Sequence, residues 1–421
     1  MKKIISMLVS LAIIAGTFPM MIAFADGETS TAWDGAVATG YAGGDGTEVN
    51  PYLISNGAEL AYLAQQVNSG NNMYNKYFKL TADIDLGNKS WTPIGCGGDD
   101  HNVDNFRGNF EGGGHVIKNM KITAVAASTT DRVTTDLPNG KERTFVGLFG
   151  YITAGTVKNL RIEGATIDGA FSKGNIGGLV GRTDGGTIEN CYVKNITITN
   201  TSENKADASV GGMIGSARGK VTTVKNCYVY NASFNVSSTT LGGLVGNVEP
   251  WSALNSTPHF SNCYTSNISV TAGNLYPFGR YDGNSNYPDF KELVTKCYTD
   301  VEGGKWSNWL TKDILRGDNA AVKSTKKQIK DGLATVTGYS IDKTVNNGYP
   351  CLTVETGWDG AVATAYAGGT GTEADPYLIS NAAQLAYLAK QVNSGINMYN
   401  KYFKLTADID LGNKPWTPIG C

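Results

Sequence analysis

Seven cysteines, three histidines and the aspartates Asp83 and Asp85 are the residues of this 421-residue chain best suited to chemistry. His101, His115 and His259 are scattered, and no Cys-x-x-Cys, His-Glu-x-x-His or mixed Cys/His group of metal-ligand spacing accompanies them. Asp83 and Asp85 share one face of a predicted strand, which brings their carboxylates close. Calcium needs more oxygen ligands and a turn, so a solvated face is expected instead. Polysaccharide cleavage needs paired carboxylates on one sheet face. The densest acidic run, residues 99–104, falls in a predicted loop. The residues therefore predict no catalytic constellation, no metal site and no cofactor.

Four cysteines, Cys191, Cys227, Cys263 and Cys297, each precede a tyrosine: Tyr192, Tyr228, Tyr264 and Tyr298. A reactive thiol needs an exposed, electropositive setting. These thiols alternate with apolar residues and are expected to be buried and unoxidised, acting as small hydrophobes. The tyrosines are placed outward, stacked at the roughly 4.8 Å spacing of neighbouring strands. Such a strip can pack on sugar rings or on a protein partner; self-stacking or coverage by a loop would also account for it. These four tyrosines are the candidate ligand-binding residues.

A repeat must position them. The segments HVIKNMKI, GTVKNLRI, GTIENCYV, TTVKNCYV and PHFSNCYT place an asparagine at 119, 159, 190, 226 and 262, and ELVTKCYT puts Lys296 in the same place. Period-2 alternation marks half-buried strands. Two inward residues flank each asparagine, as Ile188 and Cys191 flank Asn190. The strand must therefore bend there, in the left-handed conformation that asparagine tolerates. Val157, Leu160 and Ile162 are expected inward in one layer, Ile188, Cys191 and Val193 in the next, then Val224, Cys227 and Val229. A second element, Gly-apolar-apolar-Gly, recurs as FVGLFG, IGGLVG, VGGMIG and LGGLVG. Alternation does not decide which of Leu179 and Val180 faces the core. A third strand follows as NITIT (195–199) or NASFNVS (231–237). Three short strands in each 31–40 residues, without hairpin signals, predict an all-β parallel β-helix. Asn-x-Ser/Thr triplets at Asn195, Asn231 and Asn267 are read as a by-product of the repeat.

Solenoid ends need covering. Asn56 is placed to cap a helix near 57–69 whose Leu60, Leu63, Ala64 and Val67 form one apolar face. YFKLTADIDL (77–86) then alternates, with Leu80, Ala82, Ile84 and Leu86 inward. The predicted organisation is a signal peptide over 1–25, ending in an A-x-A site, a linker over 26–32, and a β-helix over 33–353. The β-helix divides into a capping segment (33–96), coils (97–300) and a closing segment (301–353). Residues 358–421 repeat 33–96 with 55 of 64 positions identical, so 354–421 is expected to be the start of a second, truncated unit. A net charge of −2 and a pI near 6.0 give no footprint for nucleic acid, and no later stretch would span a membrane once the signal is removed.

WTPIG (91–95), FRGNFEGGGHVIKNMKI (106–122), the GGLVG…NCY units and NNGYPCL (346–352) together resemble bacterial GLUG-motif surface proteins. The resemblance implies a right-handed β-helix of pectin-lyase-like shape, exported to the cell surface or beyond. GLUG repeats also occur in large immunoglobulin A proteases, where a separate zinc domain acts, and its motif is absent here. The expected role is a secreted or surface-displayed repeat protein that adheres to a host or matrix protein or a polysaccharide without catalysis. A carbohydrate-active enzyme and a purely structural spacer are the alternatives.

Overall fold

The capping helix begins where its local chemistry dictates. Asn56 accepts the Glu59 backbone N–H at 3.0 Å, while Glu59 Oε2 accepts the N–H and hydroxyl of Ser55 at 2.7 and 3.0 Å. These reciprocal bonds satisfy donors that a helix start leaves orphaned. The helix, α1 (Gly57–Asn68), buries Leu60, Leu63, Ala64 and Val67. They join the same core column as the coils beyond, which runs from Trp33 to Val301.

The computed structural model describes residues 32–421 except 97–104, 124–144, 170, 172–173, 201–207, 220–221, 237–239, 251–257, 273–274, 277, 282–292, 302–321, 324–325, 342–345, 353–361, 407–408, 410, 412–415 and 421. The expected signal peptide, the acidic run 99–104, His101 and Cys421 lie outside the described residues.

Two long parallel sheets and two shorter ones form the coil walls. Sheet I stacks eight strands, from Tyr52–Ile54 and Tyr77–Leu80 through Gly186–Glu189 to Val294–Thr295. Sheet II has ten strands and contains Tyr192–Asn200, Tyr228–Val236 and Tyr264–Ala272. Sheets III and IV have five strands each, represented by Asn175–Gly177 and Val180–Asp184. Every ladder in these four sheets is parallel, with Ile188 opposite Val224 and Tyr192 opposite Tyr228, so the β-helix is the fold.

The bends are where asparagine predicts them. Asn159, Asn190, Asn226 and Asn262 all have φ of 53–54°, and Lys296 has 51°. Leu160, Cys191, Cys227, Cys263 and Cys297, which follow them, all point into the core. Asn119 also bends (φ 55°) but belongs to another column. Val116 pairs with Arg161 and Lys118 with Glu163, so Asn119 stands level with Gly164, not with Asn159. The outlying 40-residue interval before Asn159 reflects that different position. The column continues through Asn195, Asn231 and Asn267, each at φ of 53–57°.

This second column alters the expected three-strand coil. The part of the first predicted segment that follows Asn190 runs on into the third predicted strand as one nine-residue element, Tyr192–Asn200, bent at Asn195. Val193 and Ile196 are both buried, so the left-handed residue resets the inward phase there as Asn190 does upstream. The triplets beginning at Asn195, Asn231 and Asn267 are thus structural bends.

The glycine motif resolves the open choice between Leu179 and Val180, because both are buried. Residues 178–179 turn the chain between sheets III and IV, which pack so closely that side chains are excluded. A Cβ on Gly177 would lie 2.3 Å from the Val180 carbonyl oxygen, and one on Gly242 1.8 Å from that of Val245. Glycine is required here by close approach of the backbones.

The second capping segment repeats the first. Tyr377–Ile379 pairs with Phe403–Leu405 beside α3 (Ala382–Asn393), as Tyr52–Ile54 pairs with Tyr77–Leu80 beside α1. Leu80 is fully buried, whereas its counterpart Leu405 is 59% exposed. Among the described residues, Phe403–Leu405 has no further strand beside it, while Tyr77–Leu80 is followed by Asn109–Glu111.

Candidate functional site

The predicted tyrosine strip exists as a stack but not as an exposed one. Parallel register brings Tyr192, Tyr228 and Tyr264 together on the outer face of sheet II. Ring centroids lie 5.1 and 4.7 Å apart at interplanar angles of 23° and 11°. All three are nonetheless almost wholly buried, and Tyr298 is half-buried. Ile329 and Leu333 of α2 (Lys326–Leu333), with Tyr339 and Leu352, pack over them as a second small core. Within the predicted closing segment, Val322–Lys323 adds the last strand of sheet II beyond Tyr298–Thr299, and the residues after it lie along the side of the coil. An apolar tyrosine strip is costly to leave in water, and the chain covers it with its own later residues.

Polar contacts fix that cover. The Tyr264 hydroxyl donates to the Pro350 carbonyl, and Asn346 donates to the Tyr228 and Tyr264 hydroxyls at 3.1 and 3.4 Å. Tyr339 donates to the Asn262 carbonyl at 3.0 Å. Gly332 lies against Tyr298, where an added Cβ would come within 2.3 Å of the hydroxyl. At the other end Tyr192 donates to Glu163 at 2.5 Å, and the Lys194 ammonium sits 4.2 Å from the Tyr192 ring centroid. Tyr192, Tyr228, Tyr264 and Tyr298 are therefore structural in this arrangement, correcting the expectation of a ligand-binding strip.

The other chemical candidates are also occupied structurally. Cys191, Cys227, Cys263 and Cys297 form the expected inward column of free thiols. Burial pushes the Cys227 and Cys297 thiols up, away from the reactive thiolate. Asp85 accepts Gly87 N–H at 2.8 Å and the Asn119 amide at 2.9 Å. Asp83 accepts Val116 N–H at 3.0 Å, meets His115 at 3.3 Å, and lies 3.5 Å from Lys118. Burial alone would raise the Asp83 pKa; its bonds to His115 and Val116 and the Lys118 charge outweigh that, lowering it to about 2. No group of three or more His, Cys, Asp or Glu residues among the described residues could hold a metal. Sequence reasoning missed a buried ion pair on sheet IV: Arg182 meets Asp184 at 2.8 Å, and Tyr151 donates to the same carboxylate oxygen at 2.6 Å.

Beside the cover lies a concave site of about 320 Å³, lined by Tyr230, Asn267, Ile268, Asp300, Val301, Asn347 and Tyr349. Adjoining coils supply the first four, and the predicted closing segment supplies Val301, Asn347 and Tyr349. The Tyr230 and Tyr349 rings stand 5.8 Å apart at 52°, forming angled aromatic walls. Tyr349 donates to Asp300 Oδ2, which also accepts the Ser266 hydroxyl at 2.9 Å. Burial chiefly, with the Asp300 hydrogen bond, pushes the Tyr349 hydroxyl up to about 12, so it remains a neutral donor. Neither residue of this aromatic pair stands in the Cys-Tyr repeat, which is why its periodicity did not single them out.

The GLUG motif matches residues 173–199, the coil that holds Leu179, Asn190, Cys191 and Asn195. Among curated proteins, halomucin of Haloquadratum walsbyi is 32% identical over 160 residues, 36% of this chain and 2% of halomucin. A protein of Evansella cellulosilytica, provisionally named a Gly-rich membrane protein, is 33% identical over 139 residues, 31% of this chain and 13% of its own length. The chain thus matches only a small part of either relative. A solved structure, provisionally named an immunoglobulin A1 protease from Bacteroides ovatus, aligns at 19% identity and a TM-score of 0.43. That alignment covers 75% of this chain and 95% of that one, a likeness too slight to bear on function. The chain thus carries a GLUG motif within the stacked coils of a parallel β-helix.

Proposed function

We propose that this protein is exported and displayed at a cell surface, where its β-helix presents a lateral face for binding, without catalysis. The observation that carries the reading is how the coils use their reactive side chains. The repeated thiols, asparagines and tyrosines are spent on stacking and on bonds between coils, leaving recognition to the junction of coils and cover. Similarity to halomucin and to a protein named for a membrane supports the surface location. The proposed partners are a matrix or host protein or a polysaccharide. Repeated modules suit such attachment, since avidity multiplies weak contacts.

The test pairs turnover with binding. Pectins, glycosaminoglycans and cell-wall glycans incubated with the full chain should yield no new reducing ends or unsaturated products. Arrays of glycans and matrix proteins should retain it. Turnover of any polymer would overturn the non-catalytic reading, and retention on neither array would favour a structural spacer.

A further inference from the structure

The geometry points to the Tyr230–Asn267–Asp300–Tyr349 concavity as a binding site for a neutral sugar unit of a glycan. This rests on the binding role proposed above and places it at one site.

Three features select that chemistry. First, Tyr230 borders the site beside Ile268, and its ring can pack on the C–H surface of a sugar; the Tyr349 ring, stacked on Tyr264 with the Lys326 ammonium over it, adds its edge and hydroxyl. Second, hydrogen-bond capacity remains after the internal contacts are made. Asp300 Oδ2 is taken by Tyr349 and Ser266, and among the described residues its Oδ1 has no partner. Asn267 ends the second asparagine column: its amide donates to Asn231 at 2.9 Å, and nothing among the described residues donates to its Oδ1. Asn347, held at φ 51°, adds an exposed amide at the rim. Vicinal hydroxyls can donate to the two open acceptors and accept from the rim amide. Third, the volume of about 320 Å³ lies at the small end of the roughly 300–1,000 Å³ typical of small-molecule sites. It fits a glycan terminus or single residue better than a polymer groove.

Aromatic walls beside a carboxylate also describe a site for an organic cation. Here the Asp300 charge is shared between two hydroxyl donors, and the Lys326 ammonium stands 4.9 Å from the Tyr349 ring centroid. Both features weaken the attraction for a second cation and favour a neutral ligand.

The test uses the full chain, titrated with methyl glycosides of common hexoses and N-acetylhexosamines and, separately, with choline. Binding is followed by ligand-observed NMR, with melting curves recorded for each variant. At least one neutral glycoside should bind, and Asp300→Asn and Tyr230→Ala should each weaken it about tenfold, the loss of one hydrogen bond or stacking contact. Lys79→Ala, far away on sheet I, serves as the control. Glycoside binding that survives both site variants overturns this site but leaves the surface-binding role intact. Saturable binding of choline alone overturns the sugar assignment. No binding of any glycoside, with matrix-protein retention preserved, also overturns the site while sparing the broader role. Loss of both leaves neither standing. If Tyr230→Ala lowers the melting temperature, Asp300→Asn alone decides the outcome.

Discussion

Asn226 donates its side-chain amide to Asn190 Oδ1, 2.9 Å away in the neighbouring coil, while both residues hold φ at 53°. One residue type thus does two jobs that substitution can separate. Asn226→Gly keeps the left-handed bend and loses the bond; Asn226→Ala loses the bond and adds left-handed strain of about 1–2 kcal/mol. The alanine variant should therefore be the less stable by about that amount in urea unfolding. Equal stabilities would show that the bend carries no conformational demand.

Cys227 is fully buried in the thiol column. Cys227→Asp would bury a carboxylate among apolar neighbours and should cost several kcal/mol, roughly 3 or more, whereas Cys227→Val should cost less than about 1.5. The native column should resist a thiol reagent until denaturant is added. Rapid labelling of all four thiols in the native state would contradict the inward placement.

Gly242 allows sheets III and IV to touch backbone to backbone. Gly242→Ala would force a methyl carbon to within 1.8 Å of the Val245 carbonyl oxygen and should destabilise by about 3 kcal/mol or more. Gly40→Ala, where nothing lies within 4 Å, is the matched control and should be nearly silent. Similar melting temperatures for the two variants would refute the close approach.

Acid should weaken the junction between residues 83 and 118. Because the Asp83 pKa is lowered to about 2, its ionised form is favoured by folding. That contribution is fully present above about pH 4 and is lost as pH falls through about 2. Asp83→Asn should flatten the melting-temperature profile in that window. An unchanged slope would mean that other carboxylates carry the acid sensitivity.

The covered tyrosines make a prediction about α2 and its surroundings. Tyr228→Ala should cost about 3 kcal/mol and speed proteolytic cleavage between residues 324 and 345, because the truncated side chain anchors the cover. Cleavage confined to other segments would show that the cover is held elsewhere.

Short-range features were legible from sequence. The αL asparagines, the inward thiols and the apolar face of α1 each follow from alternation within a few residues and from the conformational freedom of one residue type. The tyrosines were correctly placed outward, but alternation states only which way a side chain leaves a strand. It cannot state what arrives from 86 residues later, the separation of Tyr264 and Pro350. The Asn119 column was misjudged because its neighbours look like those of Asn159; only the register of Lys118 with Glu163 separates them. The concave site escaped because its residues meet at the junction of two segments with no common period.

The main asparagine column also has an electrical polarity. Asn262 donates to Asn226, Asn226 to Asn190 and Asn190 to Asn159, all in one direction. Amide dipoles aligned head to tail leave a positive end and a negative end, as the peptide groups of a helix do. The positive end meets a carboxylate: Asn159 donates to both oxygens of Glu111, at 2.9 and 3.1 Å. Beyond the negative end, the next bend is Lys296, a cation where the four preceding coils have Asn159, Asn190, Asn226 and Asn262. The departure from the repeat at Lys296 therefore completes a column with opposite charges at its two ends, and reversing the charge at either end should loosen the coil that carries it first.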